Sequence, residues 1–212
     1  MKIAPQPALP KALVEALPAK VGVVVPEEQR KYEQKETRSG VEWAVSLGPG
    51  HEKFAREVFG AAFREAPAFD DVASAGKAAG VQAIFVPRIE QYSFATARET
   101  GGEYFAVTIR YRFDLLAPDG NKVDSFTLTG YGNSGTEVQG SGAPLELATR
   151  AAMRDAAAKF LTQFPEQPIA KQLAGGAVLA AAAEPAAAAP LAAQVIELVP
   201  VHEPRRRAAT SP

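Results

Sequence analysis

Residues 104–116 read YFAVTIRYRFDLL, and this stretch decides the fold. Apolar side chains occupy every second position, namely Phe105, Val107, Ile109, Tyr111, Phe113 and Leu115. Because successive side chains of a strand point to opposite faces, the pattern predicts a strand with one apolar and one polar face. Residues 117–121 read APDGN, which is typical of a tight turn. We therefore predict three consecutive strands, over residues 81–96, 104–116 and 122–132, with a bulge or an edge position at Pro87.

The rest of the chain adds short strands and two long helices around these three strands. Further predicted strands span residues 20–26, 32–37, 41–47 and 69–72, and predicted helices span residues 51–64, 73–79 and 145–164. The two long helices each carry one apolar stripe, which we expect to pack on the sheet. The sequence therefore predicts an α/β (α+β) two-layer sandwich. Its mixed, mostly antiparallel sheet has five to six strands, and the two main helices lie on one face.

The composition divides the chain into three parts. Residues 1–19 are rich in proline and alanine and predict a flexible tether. Residues 20–165 form a single predicted α/β domain. Residues 166–212 predict an Ala/Pro-rich flexible tail, because its low-complexity part cannot bury enough apolar surface to offset its ordering entropy. The tail contains one apolar island at residues 195–201, a candidate for pairing with a sheet edge.

The composition also restricts the chemistry that this chain can perform. It contains no cysteine and only two histidines, His51 and His202. Disulfides, cysteine-based zinc sites and thiol nucleophiles are therefore excluded for these residues, and we predict no cofactor, no metal and no enzymatic activity. The formal net charge of −1 argues against a nucleic-acid binder. We expect His51 to be a polar residue near the surface at the start of its helix.

No secretion signal or membrane-spanning segment is predicted from the sequence. The first residues, MKIAP, continue into proline and alanine rather than into an apolar run. The best candidate for a span, residues 173–194, contains Glu184, Pro185 and Pro190. A signal that was removed during processing would leave the same sequence.

Part of the chain resembles a run common in Gram-negative envelope lipoproteins. The residues that carry this resemblance are Phe54, Val58, Phe59 and Phe63, then FDDV at 69–72, then AAGVQAIFVP at 78–87. In that group a helix leads to a short strand, and a small-small-Gly-Val-x-Ala step opens a long strand. The group includes the N-terminal domain of the periplasmic translocation protein TolB and auxiliary lipoproteins of envelope assembly or transport.

The resemblance implies a periplasmic location and attachment to the outer membrane. Those lipoproteins carry a lipidated cysteine at the mature N-terminus, and this chain contains no cysteine. Either a lipidated cysteine lies upstream of Met1 or the anchor does not exist. The tether-like composition before Lys20 favours the first alternative.

Arginines and aromatic residues of the long strands form the predicted partner-binding site, which consists of Arg88, Tyr92, Phe94, Arg110 and Arg112. The three arginines predict a basic stripe on the polar face of the sheet. The alternative is ordinary cross-strand pairing with acids such as Glu90 or Asp124. Tyr92 and Phe94 either line a groove with Tyr104 and Tyr111 or are half-buried strand residues.

Two further hypotheses concern a loop and a group of acids. The Gly/Ser-rich residues 130–142 precede a helix and suit either an anion site or a mobile loop. Asp70, Asp71 and Glu90 would form an acidic catalytic site only if they converged in one cleft. The alternative is that they are solvated acids at the ends of elements.

Three functions are compatible with these patterns. The first is a non-enzymatic periplasmic or outer-membrane-associated accessory protein, an adaptor or assembly factor that binds protein partners of an envelope complex. A homo-oligomer is compatible with this function, and membrane contact would require an upstream lipid anchor. The second is a lipid-, glycan- or small-ligand-binding module, which requires a continuous apolar pocket. The third is an enzyme with an unrecognised acidic site.

Overall fold

The computed structural model describes residues 1–7, 9, 14–137 and 143–180. The strands are β1 (Lys2–Ile3), β2 (Leu17–Val24), β3 (Glu33–Arg38), β4 (Val41–Ser46), β5 (Phe63–Glu65), β6 (Ala68–Phe69), β7 (Ala83–Ala95), β8 (Tyr104–Leu116) and β9 (Lys122–Gly135). The helices are α1 (Glu27–Arg30), α2 (Gly48–Ala62), α3 (Val72–Lys77), α4 (Ala143–Gln163) and α5 (Pro168–Ala174). The island at residues 195–201 lies outside the described residues.

The long sheet contains six strands and confirms the predicted fold class. Its strand order is β5-β2-β7-β8-β9, and β6 also pairs with β2. The short strands β5 and β6 and the long strand β7 run parallel to β2, whereas β7, β8 and β9 pair antiparallel. The three strands predicted from residues 81–132 are therefore the antiparallel part of the sheet.

The hairpin β3–β4 belongs to a second, three-stranded sheet rather than to the long one. The two strands meet at Ser39 and Gly40, whose φ angles are 50° and 77°. Such left-handed angles at two successive residues are typical of the tight turns that match strand twist. Trp43 and Val45 of β4 are buried in the main core, so the second sheet packs against the rest of the domain.

The core lies between the long sheet and the helices α2 and α4. Phe59 of α2 and Phe160 of α4 meet there, with ring centroids 5.2 Å apart. Phe85 of β7 and Phe113 of β8 complete the cluster, at 4.9 Å from Phe59 and 4.8 Å from Phe160 respectively. All four side chains are fully buried. The apolar face predicted for residues 104–116 is the face that contacts these helices.

The stretch predicted as a loop from residue 130 onward begins as a strand. β9 continues to Gly135, and Gly130 and Gly132 face α4. A Cβ at Gly130 would lie 2.1 Å from the carbonyl oxygen of Ala152. These glycines therefore allow α4 to approach the backbone of β9, and residues 138–142 of the predicted loop lie outside the described residues.

The described ends of the chain differ from the predicted tether and tail. Ile3 of β1 is buried and pairs with Val45, and Arg150 Nε donates a hydrogen bond of 2.9 Å to the carbonyl oxygen of Gln6. At the other end, α5 packs against β2 through Ala170 and Leu173. Because these apolar residues are few and widely spaced, the composition of the two segments does not predict their contacts. The division of the chain into domains stays a prediction.

Replacing Leu179 by alanine should lower the free energy of unfolding by about 2 kcal/mol, because a buried leucine is truncated. Leu179 joins the main core, and its N–H donates to the carbonyl oxygen of Gln82 at 2.8 Å. Urea unfolding of Leu179→Ala and of the control Val178→Ala, whose side chain is 61% exposed, checks this expectation. Equal stability of the two variants would show that this segment adds nothing to the core.

No helix among the described residues is both long enough and apolar enough to cross a membrane.

Candidate functional site: the outer face of the long sheet

The candidate site is the face of β7, β8 and β9 that points away from α4, which we call the outer face. Residues opposed across the three strands define its rows, which are Ser93–Thr108–Tyr131, Gln91–Arg110–Thr129 and Arg88–Arg112–Thr127. Because directly opposed residues share a face, the polar residues of β8 continue onto both neighbours. At one end, α3 covers this side of the sheet with a small apolar cluster around Ile84 and Val86. The remaining rows form a polar surface rich in hydroxyl groups.

A bulge in β7 determines which of its side chains lie on the outer face. The register shifts between Ile89, which opposes Tyr111, and Gln91, which opposes Arg110. One extra residue reverses the alternation, so Tyr92 returns to the side of Ile89 and Glu90 stays outside. The bulge therefore lies at residues 89–91 and not at Pro87, whereas the edge position predicted for Pro87 is observed, because among the described residues β2 pairs with β7 only as far as Phe85.

A network of ion pairs occupies the centre of the outer face. Glu90 forms an ion pair with Arg110, whose Nε lies 3.1 Å away, and accepts a hydrogen bond of 3.3 Å from Arg112 Nη1. Asp114 accepts from Arg112 Nε at 2.9 Å and from Lys122 Nζ at 2.6 Å. Burial alone would raise the pKa of Asp114, but hydrogen bonds from Lys122 and Arg112 outweigh it and lower the pKa. Glu90 therefore lies between two cations, and Asp114, which Arg88 Nε also approaches to 3.9 Å, is held as an anion among three.

The arginines follow the alternative prediction of cross-strand pairing rather than that of a free basic stripe. Glu90 is the predicted acidic partner, and Arg88 pairs with Glu28 of α1 at 2.7 Å. Asp124, the other predicted partner, instead accepts a hydrogen bond of 2.7 Å from the backbone N–H of Ser125. The surface is thus a mixed-charge network whose guanidinium groups are already oriented.

Two tyrosines stand out from this polar surface. Tyr104 is 40% exposed and Tyr131 is 60% exposed. They line an open depression of about 380 Å³ together with Ala106 and Thr108. Tyr131 is not part of the site predicted from the sequence, although its position three residues after the buried Leu128 of a strand places it on the outer face.

Tyr92 and Phe94, the aromatic members of the predicted site, lie on the opposite side of the sheet from the arginines. Both are buried, and the Tyr92 hydroxyl shares a hydrogen bond of 2.8 Å with Thr149 Oγ1 of α4. Phe94 contacts Trp43 edge-on, with ring centroids 5.7 Å apart. Burial raises the pKa of Tyr92, so its hydroxyl stays protonated. The predicted site is therefore split between the outer face and the core.

The acids proposed for catalysis each have a separate structural partner. Asp71 caps α3, accepting from the backbone N–H of Ser74 at 2.7 Å, and Asp70 pairs with Arg30 at 3.4 Å. Both border an open depression of about 340 Å³ whose floor includes Val86. Glu90 belongs to the ion-pair network instead and does not line this depression. Among the described residues, no group of three His, Cys, Asp or Glu side chains is placed to hold a metal ion.

His51 lies in the core, so its predicted position near the surface is wrong. In the part of the chain that the structure describes, β2 pairs with β7 only as far as Phe85, and the backbone of β7 beyond it has no strand neighbour on that side. His51 Nε2 donates to the carbonyl oxygen of Pro87 at 3.1 Å, and Gln29 Oε1 accepts from the N–H of Ile89 at 2.8 Å. Burial lowers the pKa of His51 to about 4. The histidine is a neutral cap for a strand edge.

Comparison with known proteins gives structural similarity alone. No protein-family model matches the chain, and no curated protein matches it. A homolog of the neuraminyllactose-binding hemagglutinin from Helicobacter pylori is similar over 77% of this chain and 91% of its own, with 8% identity and a TM-score of 0.47. A minor lipoprotein from Acinetobacter baumannii is similar over 76% and 94%, with 11% identity and a TM-score of 0.35. The PelC dodecamer from Paraburkholderia phytofirmans is similar over 68% and 95%, with 15% identity and a TM-score of 0.35.

Proposed function

We propose that this chain is a non-enzymatic accessory protein of the Gram-negative envelope and that it binds a protein partner through the outer face. The observation that carries this proposal is that the exposed Tyr104 and Tyr131 share the outer face with the oriented Arg110 and Arg112. Tyrosine and arginine are the residue types, with tryptophan, that most often dominate binding energy at protein interfaces.

The ion-pair network suits this function for two reasons. Arginines that are already held by Glu90 and Asp114 lose little side-chain freedom when a partner covers them. In addition, paired charges make the burial of this face less costly than the burial of isolated cations. A small apolar ligand binds best in an enclosed apolar pocket, whereas the outer face is open and polar. This difference favours a protein partner over the alternative of a lipid- or ligand-binding module.

The proposed family, role and membrane attachment of this protein rest on the sequence resemblance. We propose a TolB-like auxiliary lipoprotein that acts as an adaptor in envelope assembly or transport and is attached to the outer membrane by a lipidated cysteine encoded upstream of Met1. Homo-oligomerisation belongs to the same proposal. Each of these points is checked by isolating the protein from its own cells with its natural upstream sequence.

Removing one tyrosine and one arginine from the outer face should weaken partner binding about tenfold, as loss of interface anchors commonly does. The variant Tyr104→Ser/Arg110→Ser changes two exposed side chains and leaves the core intact. Binding of the purified variant to the captured partner, measured by surface plasmon resonance, checks the expectation.

The matched control is Val41→Ser, because Val41 is 42% exposed and lies on the separate three-stranded sheet. This control should bind the partner like the wild type. Wild-type affinity of the Tyr104→Ser/Arg110→Ser variant, or an equal loss in Val41→Ser, would contradict the assignment of the interface to the outer face.

A further inference from the structure

The free edge of β9 has the composition of a strand that readily accepts another strand. Among the described residues, β9 is the last strand of the long sheet, and residues 125–135 read SFTLTGYGNSG. This stretch contains no charged residue and no proline, which are the usual means of blocking an edge. An uncharged edge with β-branched and aromatic residues is prone to pairing with another chain.

Side chains of α4 reach around the edge and occupy its backbone groups. Asp155 Oδ2 accepts a hydrogen bond of 2.8 Å from the N–H of Tyr131. Lys159 Nζ donates a hydrogen bond of 2.8 Å to the carbonyl oxygen of Thr129 and pairs with Asp155 at 2.6 Å. Its ammonium group also lies 4.7 Å from the centroid of the Tyr131 ring. The blocking charges that the strand lacks are thus supplied by the helix packed behind it.

The backbone groups that α4 occupies are the ones that strand addition would need. The N–H of Tyr131 bonds to Asp155 of α4 and that of Ser125 to Asp124 of β9 itself, and backbone groups of residues two positions apart point to the same edge. The free edge therefore presents Ser125, Thr127, Thr129, Tyr131 and Asn133. A strand can pair there only after Asp155 and Lys159 have moved away.

We propose that Asp155 and Lys159 form an edge latch that prevents association of two copies through the β9 edge, and that the strand accepted without this latch is β9 of a second copy. Two identical edges in antiparallel arrangement form an isologous, self-complementary pair. The uncharged residues 125–135 bring no like charges together in such a pair. The product is a dimer with one continuous sheet across both copies.

The test is the mass in solution of Asp155→Ala/Lys159→Ala, measured by light scattering during size exclusion. We expect the mass of the double variant to rise about twofold over the wild type by β9–β9 pairing. Adding Thr127→Pro should reverse the increase, because proline is tolerated on an edge but cannot donate to a new ladder. The control Lys53→Ala/Glu57→Ala removes a comparable i,i+4 pair from α2 and should keep the wild-type mass.

An unchanged mass of the double variant, or association that persists with Thr127→Pro, would overturn the proposal. A fall in the mass of the wild type on adding Thr127→Pro would also overturn it, since the edge would then already be in use. If the double variant does not fold, hydrogen exchange of the Tyr131 amide in Asp155→Ala tests instead whether Asp155 protects the edge of β9. Faster exchange than in the wild type supports the latch, and unchanged exchange contradicts it.

Discussion

Replacing Gly132 by alanine is expected to lower the free energy of unfolding by about 3 kcal/mol, the upper range for overpacking a core. A Cβ at this position would lie 2.1 Å from the carbonyl oxygen of Ala148 and 2.4 Å from the backbone nitrogen of Ala152. Both atoms belong to the backbone of α4 and cannot rotate away as a flexible side chain can. The helix must therefore move off β9, which opens the packing around Phe160.

Chemical unfolding of Gly132→Ala measures this loss, and Gly135→Ala is the matched control. Gly135 lies in the same strand, yet a Cβ there would meet no atom within 4 Å. The control should be as stable as the wild type or slightly more stable, because alanine reduces the entropy of the unfolded chain. If both variants are equally stable, α4 does not pack on β9 as closely as described.

Acidification from pH 7 to pH 5 should lower the free energy of unfolding by about 2 kcal/mol through His51 alone, and by about 3 kcal/mol at pH 4. The pKa of His51 is about 4 in the folded chain and 6.5 when the residue is free in water. The unfolded chain therefore takes up the proton first as the pH falls. The stabilisation is complete above pH 6.5 and is lost progressively toward pH 4.

The variant His51→Gln separates this effect from other titrations, because glutamine can still donate to Pro87 but does not ionise. Its stability should change by less than about 1 kcal/mol between pH 7 and pH 5. The carboxylates of Glu28, Glu99 and Asp114 have lowered pKa values, so they lose their stabilising contacts mainly below this window. A wild type and a variant with the same dependence on pH would show that His51 is not buried in its neutral form.

Alternation and helical spacing were sufficient to predict the elements with continuous patterns. The predicted strand at residues 104–116 has the observed bounds, and the apolar stripe of Leu145, Ala148, Ala152, Ala156 and Phe160 is the buried face of α4. In both cases one element buries one whole face, so the local sequence pattern is sufficient to predict the element and its buried side.

Features that depend on distant partners could not be predicted in this way. The predicted strand 122–132 and the predicted loop 130–142 overlap at Gly130 and Gly132, because the role of these glycines depends on α4, which follows in the sequence. His51 looked like a surface residue because the unpaired carbonyl group of Pro87 that it caps lies 36 positions away. The bulge at Ile89 reverses the alternation of β7 and thereby moved Tyr92 and Phe94 from the predicted site into the core.

The structure places the charged residues of the predicted site on the outer face and its aromatic residues, Tyr92 and Phe94, in the core, whereas Tyr104, which the groove alternative included, is exposed on the outer face. Arg88, Arg110 and Arg112 lie on the outer face, and their pairing with Glu90 follows from cross-strand distance. The position of Tyr131 on the outer face can be predicted from the alternation of side chains in β9, once the strand is recognised as continuing through the glycines.

The most direct test of the proposed function is crosslinking and affinity purification of the protein expressed in its own cells with its natural upstream sequence, followed by mass spectrometry. We expect a lipidated N-terminus, an envelope protein among the captured partners, and crosslinks that map to the outer face near Lys122. An unmodified cytosolic protein without a stable partner, or crosslinks confined to the exposed surface of α2, would contradict it.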